Sequence, residues 1–286
     1  MILVRAHTFD QRVDAILTRL SAESDHQVAC LIDETHGPVG CGPWTKITVT
    51  REACEAIGLF CPSDFAWRCG DYGLYLATIA FPSAAHFWMI EYDVSLWFSN
   101  LRSFFSRFDD GTDSVDFIAP YLGRRFPNWY WHRVAERRYK PVYGCLFPIV
   151  RVSARALTHL LATRRADSAQ RSDTEWPNDE VFVACELVTN GFRCRDLNSF
   201  GPRVCTRQTL SFKQPVLLSD LERHSPDDMI HHPVLSDNDL KRKERMLQRQ
   251  IARTGTIAQR VRRFISSWKW ASIERLHAGS NQRFWR

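Results

Sequence analysis

Short apolar runs alternate with helix-length amphipathic segments through the first hundred residues. Ile2 to Val4 is apolar and of strand length. From Asp10 to Leu20, the residues Val13, Ile16, Leu17 and Leu20 recur at the spacing of one helical face. Gln27 to Ile32 is apolar again and ends in two acids, Asp33 and Glu34. Strand, helix and strand in about 33 residues predict a βαβ unit, and so a parallel strand pair. His36 to Trp44 holds three glycines and two prolines and reads as a loop. Lys46 to Thr50 alternates as a third strand, and Arg51 to Leu59 reads as a short helix. Asp71 to Ala80 is a further helix with Asp71 placed as its N-cap, and Pro82 ends it. The strand 86–92 follows.

Beyond Leu96 the pattern weakens. Up to Tyr143, aromatic residues such as Trp97, Phe98, Phe104, Phe105, Trp129, Tyr130 and Trp131 stand among Arg and Asp. An irregular, groove-forming region is expected there, with rings that either fill a core or line the groove. Leu146 to Val152 reads as a strand. Ser153 then caps a helix that turns Ala156, Leu157, Leu160 and Leu161 inward, and Arg164 to Trp176 reads as a polar loop. Asn178 caps a helix from Asp179 to about Thr189, closed by Asn190-Gly191. Short strands are expected over 192–197 and 216–218.

The strand ends carry the chemistry. Phe87-Trp88-Met89-Ile90 reads as a strand buried on both faces, and it stops at Glu91 and Asp93. If the strand continues, alternation points both acids to one side. Two acids together are costly unless a cation lies between them, and carboxylates suit hard divalent ions. Parallel strands would deliver Arg5 and His7, Asp33 and Glu34, and Glu91 and Asp93 to one edge, where doubly wound sheets bind ligands.

At 286 residues the chain can form one large domain or two small ones. A hydrophobic content of 44% and a charged content of 24% are those of a soluble globular protein. The nine cysteines include no CxxC pair, which speaks against a zinc site of the common spacing. Their odd number, and the apolar runs around Cys30 and Cys185, predict reduced, mostly buried thiols. No apolar run of about 18 residues predicts a membrane span, and no secretory signal is recognised, so a cytoplasmic protein is expected.

An apolar strand followed by acid-x-acid resembles the DxD motif of metal-dependent glycosyltransferases of the GT-A superfamily. The longer pattern, Gly70-Asp71-Tyr72 and then Trp88-Met89-Ile90-Glu91-Tyr92-Asp93-Val94, is similar to a sparsely characterised glycosyltransferase-like family within it. The resemblance runs from the N-terminus to about His232. It implies a GT-A-like, Rossmann-like mixed sheet, mainly parallel and flanked by helices. It also implies a catalytic domain over 1–236, with a nucleotide-binding half (1–95) and an acceptor-binding half (96–236). The implied cofactors are Mn²⁺ or Mg²⁺ and a nucleotide-sugar donor, with a UDP-sugar expected. Asp93 is then the principal metal ligand. Glu91 binds the metal through water or contacts the donor, and His232 is a third ligand, with the adjacent His231 leaving that choice open. Asn178-Asp179-Glu180-Val181-Phe182 resembles the element that opens a helix under the acceptor site of inverting members. Glu180 is favoured slightly over Asp179 as base, although acids in a first helical turn also simply complement the helix dipole. Asp71 has two compatible readings, as cap and as donor contact. Arg5 and Asp33 are further nucleotide-pocket candidates. The expected acceptor is a glycan, a lipid-linked glycan or another hydroxyl compound. A sugar-nucleotide pyrophosphorylase would need a glycine-rich loop after the first strand, where this chain has Arg5-Ala6-His7-Thr8-Phe9-Asp10.

The last fifty residues differ. From Asp239 on there are thirteen bases and three acids, a net charge of +10 against +6 for the whole chain. Ile257, Val261, Phe264, Ile265, Trp268 and Leu276 lie near one helical face. A basic amphipathic helical tail over 237–286 is expected, docking on an anionic membrane surface as a peripheral contact. The competing class is a non-catalytic nucleic-acid- or anionic-surface-binding protein that uses this tail. No nucleic-acid motif is recognised, so no nucleic-acid partner is expected.

Overall fold

The computed structural model describes residues 1–109, 114–169, 176–212, 215–242 and 245. A seven-stranded sheet organises them. Its strands are β1 (Ile2–Ala6), β2 (Val28–Asp33), β3 (Lys46–Val49), β4 (His86–Glu91), β6 (Phe117–Ala119), β7 (Ile149–Ser153) and β8 (Cys194–Asp196). The spatial order is β8-β6-β7-β4-β1-β2-β3. β3, β2, β1 and β4 are parallel, β7 runs against both β4 and β6, and β8 is parallel to β6. The mixed, mainly parallel sheet flanked by helices is therefore the one expected.

Alternation along β4 splits its side chains between two layers. Phe87 and Met89 join Leu3, Leu31, Tyr72 and Tyr75 on one face. Trp88 and Ile90 join Ile2, Val4, Val13 and Leu17 on the other. The first layer is covered by α2 (Asp71–Ala80), α4 (Ala154–Ser168) and α5 (Asp179–Thr189), the second by α1 (Gln11–Glu23) and α3 (Leu101–Asp109). A strand covered by helices on both faces needs apolar residues at every position, which is why β4 shows no polar alternation.

Four expectations need correction. The region after Leu96 is not an irregular groove throughout. α3 buries Leu101, Phe104, Phe105 and Phe108 at i, i+3, i+4 and i+7, and the Phe105 and Phe108 rings stand edge-on to Trp88 with centroids 5.6 and 5.1 Å away. The reading of 164–176 as a polar loop fails at both ends: α4 runs on to Ser168, and Arg164 and Trp176 are buried, while 170–175 lie outside the described residues. Asp71 is not an N-cap, because Gly70 holds that position and no side chain caps the helix. The short helix at Arg51 ends at Ala56 rather than Leu59.

Other local signals act as expected. Asp10 accepts from the Arg12 and Val13 N–H groups at the start of α1, Ser153 from Ala156 at α4, and Asn178 from Val181 at α5. Gly191, with φ of 74°, follows α5 in the left-handed region. All nine cysteines are thiols, and eight are buried. No described helix is long and apolar enough to cross a membrane. Residues 237–242 are helical, and the rest of the basic tail lies outside the described residues apart from Arg245.

Candidate active site: an acidic corner at the carboxyl edge of the sheet

Parallel register sets the site. Arg5 stands opposite Glu91 across the β1–β4 pair, so a cation and an anion end adjacent strands side by side. Arg5 Nη1 donates to Glu91 Oε1 at 2.6 Å, and its Nη2 donates to the Ala66 carbonyl at 2.5 Å. The chain turns immediately after β4, with the Val94 N–H on the Glu91 carbonyl at 2.9 Å. Asp93 therefore reaches the same corner as Glu91 by a turn, not by strand alternation.

The third group arrives from far along the chain. β5 (Ser95–Trp97) pairs antiparallel with β9 (Met229–His231), and the Val234 N–H donates to the Asp93 carbonyl at 2.7 Å. These two ties hold His232 beside Asp93. Its Nε2 lies 3.6 Å from Asp93 Oδ1 and 3.9 Å from Glu91 Oε2. One ligand atom from each of Glu91, Asp93 and His232 lies within 4.8 Å of the others. His231 is separated from this group: its Nε2 meets Asp227 Oδ2 at 3.0 Å.

The donor set fits a divalent ion. His232 Nδ1 is 2.9 Å from the Ser211 carbonyl, which can only accept, so Nδ1 donates there and Nε2 is the ring atom turned to the acids. Arg5 occupies one oxygen of Glu91 and leaves Oε2 turned toward His232. Asp93 and His232 could then hold such an ion between them, with Glu91, partly neutralised by Arg5, beside it. Two carboxylates and an imidazole suit Mn²⁺, which accepts nitrogen beside oxygen more readily than Mg²⁺ does.

A cleft of about 640 Å³ opens beside this corner, lined by residues that include Arg5, His7, Asp33, Thr50, Trp67 and Asp93. Asp33 Oδ1 accepts from both the N–H and the hydroxyl of Thr35, which fixes it at the end of β2. The His7 ring packs edge-on to Tyr92 at 5.1 Å, and burial, then the charge of Arg242, lowers its pKa. Asp71 does not reach this cleft. Its carboxylate is sealed in the core against Arg164, at 2.9 and 3.2 Å, and accepts from the Tyr75 hydroxyl at 2.7 Å. A direct donor contact from Asp71 is therefore ruled out in this structure.

Asp179 and Glu180 form a buried floor under the site and do not line the cleft. Asp179 accepts from the Gly70 N–H at 2.9 Å and the Glu180 N–H at 2.7 Å. A Cβ at Gly70 would stand 2.5 Å from Asp179 Oδ2 and 2.7 Å from Arg5 Nη1, so any side chain there would have to displace both groups. Burial, then Glu180 and Asp71, pushes the Asp179 pKa well above the usual carboxylate range. Burial likewise raises Glu180 to about 7, against the bonds from Asn178 and Phe147 and the pull of Arg125.

This sets a pH dependence. The folded chain keeps the Glu180 proton that the unfolded chain loses near pH 4.5. The stability contribution is complete below that value and is lost as pH rises through about 7. Relative to Glu180→Gln, the wild type is expected to lose about 3 kcal/mol between these limits. Urea denaturation of both proteins across pH 4.5–8 measures it, and parallel curves would refute the burial argument.

Arg164 is the residue that sequence reasoning missed, and Trp67 was not singled out either. No family model matches the chain, and no curated protein matches it. Among solved structures, it is similar to a glycosyltransferase involved in glycosylation of the major capsid of PBCV-1. That match has 12% identity and a TM-score of 0.39, covering 81% of this chain and 92% of that one. It is also similar to glucosyl-3-phosphoglycerate synthase from Mycobacterium tuberculosis in complex with Mn²⁺, UDP and phosphoglyceric acid. There the identity is 12% and the TM-score 0.32, covering 60% of this chain and 64% of that one. The same synthase with Mn²⁺, UDP-glucose and phosphoglyceric acid matches at 12% identity and a TM-score of 0.32, covering 60% and 65%. At such identities and TM-scores these likenesses do not bear on activity, which has to be read from the acidic corner itself.

Proposed function

We propose that this protein is a metal-dependent glycosyltransferase that moves a sugar from a UDP-sugar to a hydroxyl acceptor. One observation carries the reading: Glu91, Asp93 and His232, separated by up to 141 positions in the chain, converge within 4.8 Å at the carboxyl edge of a mainly parallel sheet. Sheets of this kind bind nucleotides there.

Asp93 and His232, with Glu91, would hold Mn²⁺, or Mg²⁺ less well. A bound divalent ion supplies Lewis-acid neutralisation of the diphosphate leaving group. Arg5 fixes the Glu91 carboxylate and so limits negative charge where the phosphates must lie. Asp33, locked by Thr35, presents its remaining oxygen at the far end of the cleft, within reach of ribose hydroxyls. Glu180, pushed up to about 7, is the proposed base of an inverting reaction, and from its buried floor it takes the acceptor proton only through a water relay or an opening of that floor. In this reading residues 1–95 serve mainly the donor and 96–236 mainly the acceptor, with His232 crossing over to the metal. A cytoplasmic enzyme whose +10 segment from Asp239 on meets an anionic membrane is the matching setting, with lipid-linked glycans among its acceptors.

The test is a thermal-shift titration with UDP and UDP-sugars, with and without Mn²⁺. At a hundred times Kd, binding stabilises by about 2.7 kcal/mol. That is a rise of several degrees at about 2–4 °C per kcal/mol for a chain of this size. A rise that requires both Mn²⁺ and nucleotide is expected. No Mn²⁺-dependent shift with any nucleotide sugar would refute the proposal.

A further inference from the structure

Three aromatic rings from two distant segments form a chain of contacts that begins at Trp67 in the cleft lining. Trp67 lies in the helical turn Phe65–Arg68. Phe65 anchors that turn in the core, and the Ala66 carbonyl holds Arg5. Between these fixed points Trp67 lines the cleft and remains 69% exposed. Its ring meets Trp131 at 6.3 Å, inclined by 40°. Trp131 in turn meets Tyr130 at 4.9 Å and 85°, and Tyr130 is 81% exposed. Large aromatic groups bury 150–250 Å² each when covered, so leaving them in water forgoes a large stabilisation. Grouped outward from a cleft-lining residue, they mark a recognition surface.

We infer that Trp67, Tyr130 and Trp131 form a stacking rim for a saccharide chain, which makes the acceptor an oligosaccharide; this rests on the glycosyltransferase reading above. The chemistry of the occupant follows from the rings. A sugar presents an apolar C–H face bordered by hydroxyls, and it lies against an aromatic face without needing a charge. Successive sugar units are tilted to one another, as these three rings are. A single planar base or a flat apolar peptide would be served better by coplanar rings.

The position of the rim agrees. Trp131 and its neighbour Trp129 pack on a small cluster that includes Ala135, Tyr139, Val142, Val181 and Cys185. Val181 and Cys185 belong to α5, the helix that begins with Asp179 and Glu180. The rim therefore runs from the cleft lining at Trp67 to the cluster that packs on α5. Trp67 is reached from the Arg5 side and Trp131 from the α5 side. An oligosaccharide stacked there would place its terminal unit at the cleft.

The test uses the full chain, fluorescently labelled, on an array of neutral and acidic oligosaccharides. Wild type is expected to retain a defined subset. Tyr130→Ala and Trp67→Ala should weaken that binding by at least about tenfold. Both side chains are exposed, so both variants should fold, and unchanged melting of Tyr130→Ala verifies it. The UDP–Mn²⁺ thermal shift is read in parallel. Loss of glycan binding in Tyr130→Ala with that shift intact supports the rim. Absence of any glycan binding by wild type, with the shift intact, overturns the rim and leaves the donor reading standing. Retained glycan binding in both variants also overturns it. Loss of the nucleotide shift in Tyr130→Ala without loss of glycan binding would assign the rings to the base instead, and overturn it too. Glycan binding that depends on the rings, in a protein showing no nucleotide shift, would support the saccharide site while removing the transferase reading.

Discussion

Asp93→Asn is expected to abolish the Mn²⁺-dependent thermal shift and to lower sugar transfer by about 10²–10³-fold or more, while leaving the apo protein as stable as wild type. The size follows from what is removed. The substitution keeps the shape of the side chain but replaces an anionic ligand with a neutral amide, and charge stabilisation of a leaving group in a closed site is worth several kcal/mol. The fold should change little because asparagine keeps the shape, its amide oxygen still faces His232, and the backbone tie of the corner, the Val234 N–H on the Asp93 carbonyl at 2.7 Å, is untouched. Loss of activity without loss of stability separates a ligand from a structural residue. Glu91→Gln should be milder, since the amide oxygen can still accept from Arg5 and only one free carboxylate oxygen is lost. Donor turnover and the Mn²⁺ shift, measured on both variants, check this. Turnover of Asp93→Asn within a few-fold of wild type would refute the metal assignment.

The parts of this protein that sequence reading reached are those governed by local periodicity or by strand ends. β4 was legible because four consecutive apolar residues leave a strand no solvent face, and its acids were legible because they interrupt that run. The βαβ unit of β1, α1 and β2 followed from spacing alone, and Ser153 and Asn178 cap the helices their positions implied. That His232 and not His231 stands beside Glu91 and Asp93 depends on the β5–β9 pairing, which has no local signal. The i, i+3, i+4, i+7 pattern of Leu101, Phe104, Phe105 and Phe108 was present but obscured by polar neighbours. Arg164 follows Leu157 and Leu160 on the apolar face of α4 at the right spacing, yet an arginine in that series reads as the start of a loop. Its partner Asp71 lies 93 positions away, and nothing near either residue announces the other.

Arg164→Met is expected to destabilise the protein by about 3–5 kcal/mol and to lower its melting temperature by roughly 10 °C or more. Arg164 and Asp71 are both fully buried. Arg164 gives two bonds to Asp71 and one to the Pro177 carbonyl at 3.1 Å, and its guanidinium lies 3.7 Å from the Phe182 ring centroid. Burial alone would lower its pKa, but Asp71 and nearby groups outweigh burial and hold it above the ordinary value. Methionine fills the space and leaves the Asp71 carboxylate in the core with only the Tyr75 hydroxyl. Breaking one side of a buried pair costs far more than replacing both. Arg164→Met combined with Asp71→Leu should therefore be more stable than Arg164→Met alone, a coupling that chemical denaturation of the four proteins measures. Additive losses would show that the pair contributes through packing only. The consequence for the site is geometric. Asp71 follows Gly70, whose N–H holds Asp179, and Pro177 precedes the Asn178 cap of α5. One ion pair thus fixes the starts of α2 and α5 to each other, and with them the floor on which Arg5 and Glu91 meet.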